Sequence, residues 1–267
     1  MLYRRVLSGI VGLVLLAAAV FAGSLPFFAV TAAVAGAGAV EYHRLLPVED
    51  DNQLLLPLLV IIFMASQYFL PAERALSAAG LIIFFSFLYM YFDQLKNYSY
   101  DDILIRLAGK LFGIIYLGGG MYIIALLRDF SRSPLEETRA LWLVLLAAWA
   151  ADTGAYFVGR AWGSRPLAPK ISPNKTVAGG LGGVVSSVLA FSIFMLVLGE
   201  FSLVWPIVAV LISIVALLGD LFISCLKRDA GVKDAGDIIP GHGGILDRFD
   251  SLLLSAPLAY ILFILLL

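Results

Sequence analysis

Apolar runs recur along almost the whole chain, and that recurrence limits the fold more than any other feature. Several runs approach or exceed the roughly 18 residues needed to cross a bilayer's hydrocarbon core. They lack the strict alternation of a barrel strand. Inside lipid the backbone must satisfy its own hydrogen bonds, so they read as helices. The expected fold is therefore all-α, a polytopic integral membrane protein. Nine spans are predicted, at about 6–22, 25–40, 54–70, 75–92, 108–127, 140–158, 180–198, 203–224 and 251–267. They form one membrane-embedded domain, with N-terminal and middle spans over 1–139 and the later spans and polar loops over 140–267. Only 14% of residues are charged, and mean hydropathy is +0.98, which excludes an ordinary soluble domain.

Other function classes fall away on composition. The net charge is −1 with no basic tail or stripe, so nucleic acid is not an expected partner. The single cysteine, Cys225, excludes an internal disulfide and a cysteine metal cluster. The opening MLYRR and its apolar run have the look of a signal peptide. They are read as a first span that stays, because further spans follow closely. Small residues at 29–40 suit close helix packing, within the chain or across a homodimer.

A cytoplasmic N-terminus with nine spans puts most of the 18 basic residues on the cytoplasmic side. It leaves Arg74, Arg128, Arg132 and Arg139 on the other side, so the 128–139 loop is the weakest part of this topology. Two polar loops then face the cytoplasm, 159–178 and 224–250.

The second of these loops is densely ionisable. It carries Lys227, Arg228, Asp229, Lys233, Asp234, Asp237, His242, Asp247, Arg248 and Asp250 between two apolar helices. Asp220 lies just before it, near the end of the eighth span, where a carboxylate needs a partner, a water-filled cavity or headgroup water. Asp247 and Asp250 are spaced i, i+3. They share one face if the last helix begins near Ile245, with Arg248 on another. Carboxylates gathered at adjacent helix ends repel one another without a cation. Oxygen donors with no cysteine or histidine pair favour Mg²⁺ or Mn²⁺ over zinc. Salt bridges to Lys227, Arg228 and Lys233 are the competing account. PGHGG at 240–244 is a kinked approach to the last helix, and its glycines let backbone amides near an anion. For His242, phosphate binding, proton transfer and a structural hydrogen bond all stay open.

Asp152 is a second acidic residue inside an apolar run, and it too expects a partner. In the 170–183 stretch, Lys170 and Lys175 flank Ser172 and Pro173 before a Gly-rich helix start. The spacing is not that of a Walker A loop. Capture of phosphate and a purely topological positive loop are both open.

These residues resemble the phosphatidate cytidylyltransferase (CDP-diacylglycerol synthase) family. Its pattern is met, without gaps, by Ser224, Leu226, Lys227, Arg228, Lys233, Asp234, Pro240, His242, Gly243, Gly244, Asp247, Arg248 and Asp250. The SPNK segment and Asp152 resemble an upstream region of the same family, so the likeness covers roughly the C-terminal half. Ile223 departs from it, since members often have Glu there. The resemblance implies a membrane enzyme, expected in the bacterial inner membrane, and the charge bias has its site face the cytoplasm. CTP and phosphatidic acid would give CDP-diacylglycerol and pyrophosphate, with the acyl chains entering between helices. Asp220 and Asp247 would hold Mg²⁺ or Mn²⁺, with Asp250 and Asp152 as supporting acids. Lys175, Ser172, Ser224, Lys227, Arg228, Lys233, His242 and Arg248 would serve the substrate phosphates. A second, monovalent cation is left open. A transporter is the main competing class; it expects a midplane site, often with repeats or broken helices, whereas here the acids cluster at one face and no repeat is visible.

Overall fold

The computed structural model describes residues 2–46, 52–97, 103–130, 138–238 and 243–266. It is helical almost throughout. The helices are α1 (Leu2–Ala22), α2 (Ser24–Leu45), α3 (Leu55–Phe69), α4 (Ala72–Asn97) and α5 (Ile103–Gly113). A π-helical segment (Ile114–Gly119) joins α5 to α6 (Gly120–Asp129). Then come α7 (Arg139–Trp162), strands β1 (Pro166–Ala168) and β2 (Ser172–Thr176), α8 (Val177–Val197), α9 (Val204–Asp229) and α10 (Leu246–Leu266). Among the described residues, seven helical stretches are long and apolar enough to cross a membrane, with α5, the π segment and α6 counting as one. Two further apolar stretches, Gly9–Ala22 within α1 and Leu55–Phe69 (α3), are shorter. Each predicted run is thus a helix, but the count of nine spans is not established by length.

The chain divides into two compact units. One comprises Met1–Ala125 and Asp229–Asp247; the other comprises Leu126–Arg228 and Arg248–Leu267. In the first, α2 and α3 pack through Phe28 stacked on Tyr68, with ring centroids 4.1 Å apart. The small residues of α2 are used here: Ala32, Ala35 and Ala39 are buried, and Gly36 lies under Ile61. This face is occupied within the chain, so it gives no argument for a homodimer. Tyr42 donates to the Gly109 carbonyl at 3.0 Å, and Tyr122 to that of Gln67 at 2.9 Å. The phenols, Tyr42 buried and Tyr122 half-buried, thus satisfy their hydroxyls, which ties α2 to α5 and α3 to α6.

In the second unit, α7 and α8 pack most closely. A Cβ built on Gly183 would lie 2.8 Å from the Ala151 carbonyl oxygen, and one on Gly154 would lie 2.8 Å from that of Gly182. Only glycine lets the two backbones approach so far. Aromatic contacts join the other helices, with Phe191 stacked on Trp205 and Phe130 edge-on to Tyr260. Arg139, at the start of α7, pairs with Glu200, between α8 and α9, at 3.0 Å. That pair sets the start of α7 and the α8–α9 turn at one end of the unit, as alternating spans require. Residues 131–137 of the expected 128–139 loop, Arg132 among them, lie outside the described residues.

Between α7 and α8 the chain forms a short antiparallel hairpin, with Pro166 opposite Thr176 and Ala168 opposite Ser172. It is the one departure from the expected all-α fold among the described residues. Thr176 ends the hairpin and caps α8: its hydroxyl accepts from the Gly179 amide at 3.1 Å. Loss of an N-cap hydroxyl costs about 1 kcal/mol. Thr176→Ala is therefore expected to lower the thermal midpoint in detergent by an amount matching that loss, and an unchanged midpoint would remove the cap from the account.

Candidate functional site

The second unit gathers much of the chemistry that the sequence singles out. A cavity of about 560 Å³ opens between α7, the hairpin, α8 and α9. Asp152 from α7, Lys175 from β2 and Asp220 from α9 all line it. Its size lies in the range of small-molecule sites. The Lys175 ammonium forms an ion pair with Asp220 Oδ2. On the other oxygen, Oδ1, Asp220 accepts from the Ser224 hydroxyl one helical turn later at 3.3 Å. Asp152 and Asp250 both lie within electrostatic reach of Asp220, and Asp152 also within reach of Lys175 and Arg248. Asp250 is buried, accepts from the Ser251 amide at 2.7 Å, and lies within reach of Lys227. Three acids that the sequence places 30 to 98 positions apart therefore act on one another in a single unit.

Close approach of α9 and α10 makes this possible. A Cβ on Gly219 would lie 3.4 Å from the Ser251 Cα and crowd the Asp250 carbonyl, so Gly219 lets Asp220 stand beside the start of α10. Arg228, at the end of α9, donates from Nε to the Ile171 carbonyl at 3.1 Å. That bond holds the turn of the hairpin against α9 and so fixes where Lys175 points. Ser172 begins β2 and is half-buried, but it is not among the residues lining the cavity. Asn174, Arg160 and Tyr156 do line it, and Arg160 donates to the Tyr156 hydroxyl at 3.0 Å. Tyr156 is not among the site residues expected from the sequence. Its polar tip and the neighbouring guanidinium, one helical turn on, were the available signal.

The first unit holds Asp247 and Lys233. Asp247 Oδ2 accepts from the Ala235 amide at 2.9 Å and from the Gly244 amide at 3.3 Å. One carboxylate oxygen thus closes the polar loop on itself. Lys233 is exposed. His242, with Pro240 and Gly241, lies outside the described residues.

Glu41 is a residue the sequence reading missed. That reading ended the second span at 40, whereas α2 continues to Leu45 and carries Glu41 inside it. Asp152 is therefore not the only further acid within an apolar helix. Glu41 is completely buried, and its two oxygens accept from the Ile245 and Leu246 amides at 3.0 and 2.8 Å. Ile223 is also completely buried, so the departure from the family pattern puts a hydrocarbon side chain there.

Among the described residues no three His, Cys, Asp or Glu groups converge tightly enough to cage a metal ion. Mg²⁺ seldom needs such a cage, since it is commonly held by one or two carboxylates together with substrate phosphates and water. The donor set of Asp220 and its acidic neighbours is all oxygen, which fits that ion and not zinc.

A polytopic helical membrane protein, with carboxylates and a lysine grouped beside a hairpin, is the class that fold and site define. Comparison with known proteins narrows it. The model of the cytidylyltransferase family matches residues 3–266. A phosphatidate cytidylyltransferase of Bacillus subtilis (strain 168) is 34% identical over 270 residues, which cover 97% of this chain and 96% of the relative. That of Synechocystis sp. (PCC 6803) is 36% identical over 296 residues, covering 99% and 97%. A third, from Haemophilus influenzae, is 41% identical over 137 residues, covering 49% and 48%. The chain belongs to the cytidylyltransferase family.

Proposed function

We infer that the chain transfers the cytidylyl group of CTP to phosphatidic acid, giving CDP-diacylglycerol and pyrophosphate. The observation that carries this reading beyond family membership is the meeting of Asp152, Lys175 and Asp220 on one cavity. Both reactants are anions, so their approach requires positive charge and a place for the phosphates. An oxygen of the lipid phosphate attacks the α-phosphorus of CTP, and the bond from that phosphorus to the bridging oxygen of pyrophosphate breaks. A phosphate monoester is already nucleophilic near neutral pH, so the site needs no strong base. Its task is positioning and charge stabilisation.

In this reading Asp220 and Asp247 would hold Mg²⁺ or Mn²⁺, with Asp250 and Asp152 as supporting acids. When bound, the divalent ion offsets the charge on the triphosphate and on the departing pyrophosphate. Lys175 is engaged with Asp220 and has a second task open to it. The same ammonium would also suit a substrate phosphate, since it lines the cavity beside Asp220. Lys227, Arg228, Lys233, His242 and Arg248 add positive charge or hydrogen-bond donors for the same phosphates, and Ser172 and Ser224 add hydroxyls. The site faces the cytoplasm of a bacterial cell, at the inner membrane, where CTP is present.

Incubation of purified protein with radiolabelled CTP, phosphatidic acid and Mg²⁺ tests the reaction. A CTP-dependent liponucleotide is expected, with UTP and ATP as poor competitors. If none forms under several lipid conditions, the reading is lost. Preferential use of another nucleotide would move the chain to a related lipid-activating reaction.

A further inference from the structure

We propose that Glu41 is a positioning residue for this reaction: it acts across the fold to fix the loop that presents Asp247. The proposal rests on the functional reading above and adds a residue that the motif does not contain. Glu41 and the amides it binds lie about 200 positions apart in sequence, yet within one compact unit.

The start of α10 has no local cap. Gly243, Gly244 and Ile245 precede Leu246, and none has a side chain able to accept from the first helical amides. Glu41 supplies both oxygens instead, one to Ile245 and one to Leu246. A carboxylate at a helix N-terminus is favoured by the helix dipole, and a buried carboxylate must be hydrogen-bonded to be tolerated. The loop is shaped to receive it. A Cβ on Gly244 would lie 2.7 Å from Glu41 Oε2, and one on Gly236 would lie 2.7 Å from its Cδ. Two glycine backbones therefore close directly around the carboxylate.

Asp247 then finishes the same construction from inside the loop. Its Oδ2 takes the amides of Ala235 and Gly244, while Glu41 takes those of Ile245 and Leu246. Two acids thus hold four amides and lock the returning ends of the polar loop together. Remove Glu41, and Asp247 stays on the chain but loses the frame that aims its second oxygen. Misplacement of about 1 Å is enough to cost about a hundredfold in rate.

Glu41→Gln tests this in the full-length protein, in detergent with phosphatidic acid, CTP and Mg²⁺. Glutamine keeps the shape and one acceptor but turns an NH₂ group toward the second amide. The expected result is a kcat lower by about ten- to a hundredfold. KM for phosphatidate should stay within about twofold, and the protein should remain folded. Gly244→Ala, which pushes the carboxylate away from the other side, is expected to give the same split. Hydrogen exchange over residues 243–248 should rise about tenfold in Glu41→Gln while α7 and α8 stay protected. The proposal is overturned if Glu41→Gln keeps kcat within about twofold of the parent. Loss of activity only in step with loss of folded protein, or unchanged exchange over 243–248, overturns it too. Exchange needs no turnover, so it decides the role of Glu41 even if the parent protein makes no liponucleotide, an outcome that would instead remove the reaction.

Discussion

Replacing Asp220 with asparagine should lower kcat for cytidylyl transfer by about a hundred- to a thousandfold and leave the protein folded. Asp220 combines the features that make a carboxylate hard to replace. It pairs with Lys175, accepts from Ser224, and lies within reach of both Asp152 and Asp250. Asparagine preserves the shape and an acceptor for Ser224, but removes the negative charge that would hold a cation or keep Lys175 in place. The effect should therefore fall on kcat, with little change in the thermal midpoint. Lys175→Met should also be slow. The double variant should be less impaired than the product of the two single losses, because each single change already breaks the same pair. Ser224→Ala gives the contrast: it removes one hydrogen bond and no charge, so its loss should be far smaller. If Asp220→Asn transfers cytidylyl groups within about fivefold of the parent, Asp220 has no central role.

Gly183→Leu is expected to be the most damaging change remote from the charged groups. The first atom of any side chain there would already sit 2.8 Å from the Ala151 carbonyl oxygen, and 3.3 Å from the Ala155 Cβ. A carbonyl oxygen belongs to the backbone and cannot rotate aside. The α7 and α8 axes must separate, so overpacking should cost about 3 kcal/mol or more. Asp152 is the residue after Ala151, so the same shift moves a carboxylate at the cavity. A lowered thermal midpoint in detergent and a reduced rate in the surviving folded fraction should appear together. Parental stability and rate in Gly183→Leu would show that the helices do not depend on this contact. Leu181→Ala, on an exposed position two residues away, serves as the surface control.

Much of this was legible because membrane helices announce themselves by length and apolarity. The run at 140–158 became α7, Arg139–Trp162, and the run at 203–224 became α9, Val204–Asp229. Both extend further at the charged end, where a helix can continue into the headgroup region without apolar residues to mark it. The same cause hid Glu41. EYHR reads as an exit from the membrane, yet α2 continues through it, and burial of the acid depends on amides contributed by a loop about 200 residues away. The hairpin was hidden for another reason. RPLAPKISPNKT has two prolines among its strand residues and no alternation, so its strands are defined by pairing with each other and by Arg228 holding the turn. Asp152, Lys175 and Asp220 were each recognisable as chemistry-bearing residues, because a charge in an apolar setting is costly. Their convergence required the fold.

The glycine-lined contact of α7 and α8 also bears on how a two-tailed lipid can approach. Where a single methyl group already collides, a hydrocarbon tail has no room to slip between the helices. That side of the cavity is a wall, not a doorway. The hairpin bridges the same two helices at the cavity end, and the α9 guanidinium pins its turn. A gap for lipid tails therefore does not lie between α7 and α8 at these glycines.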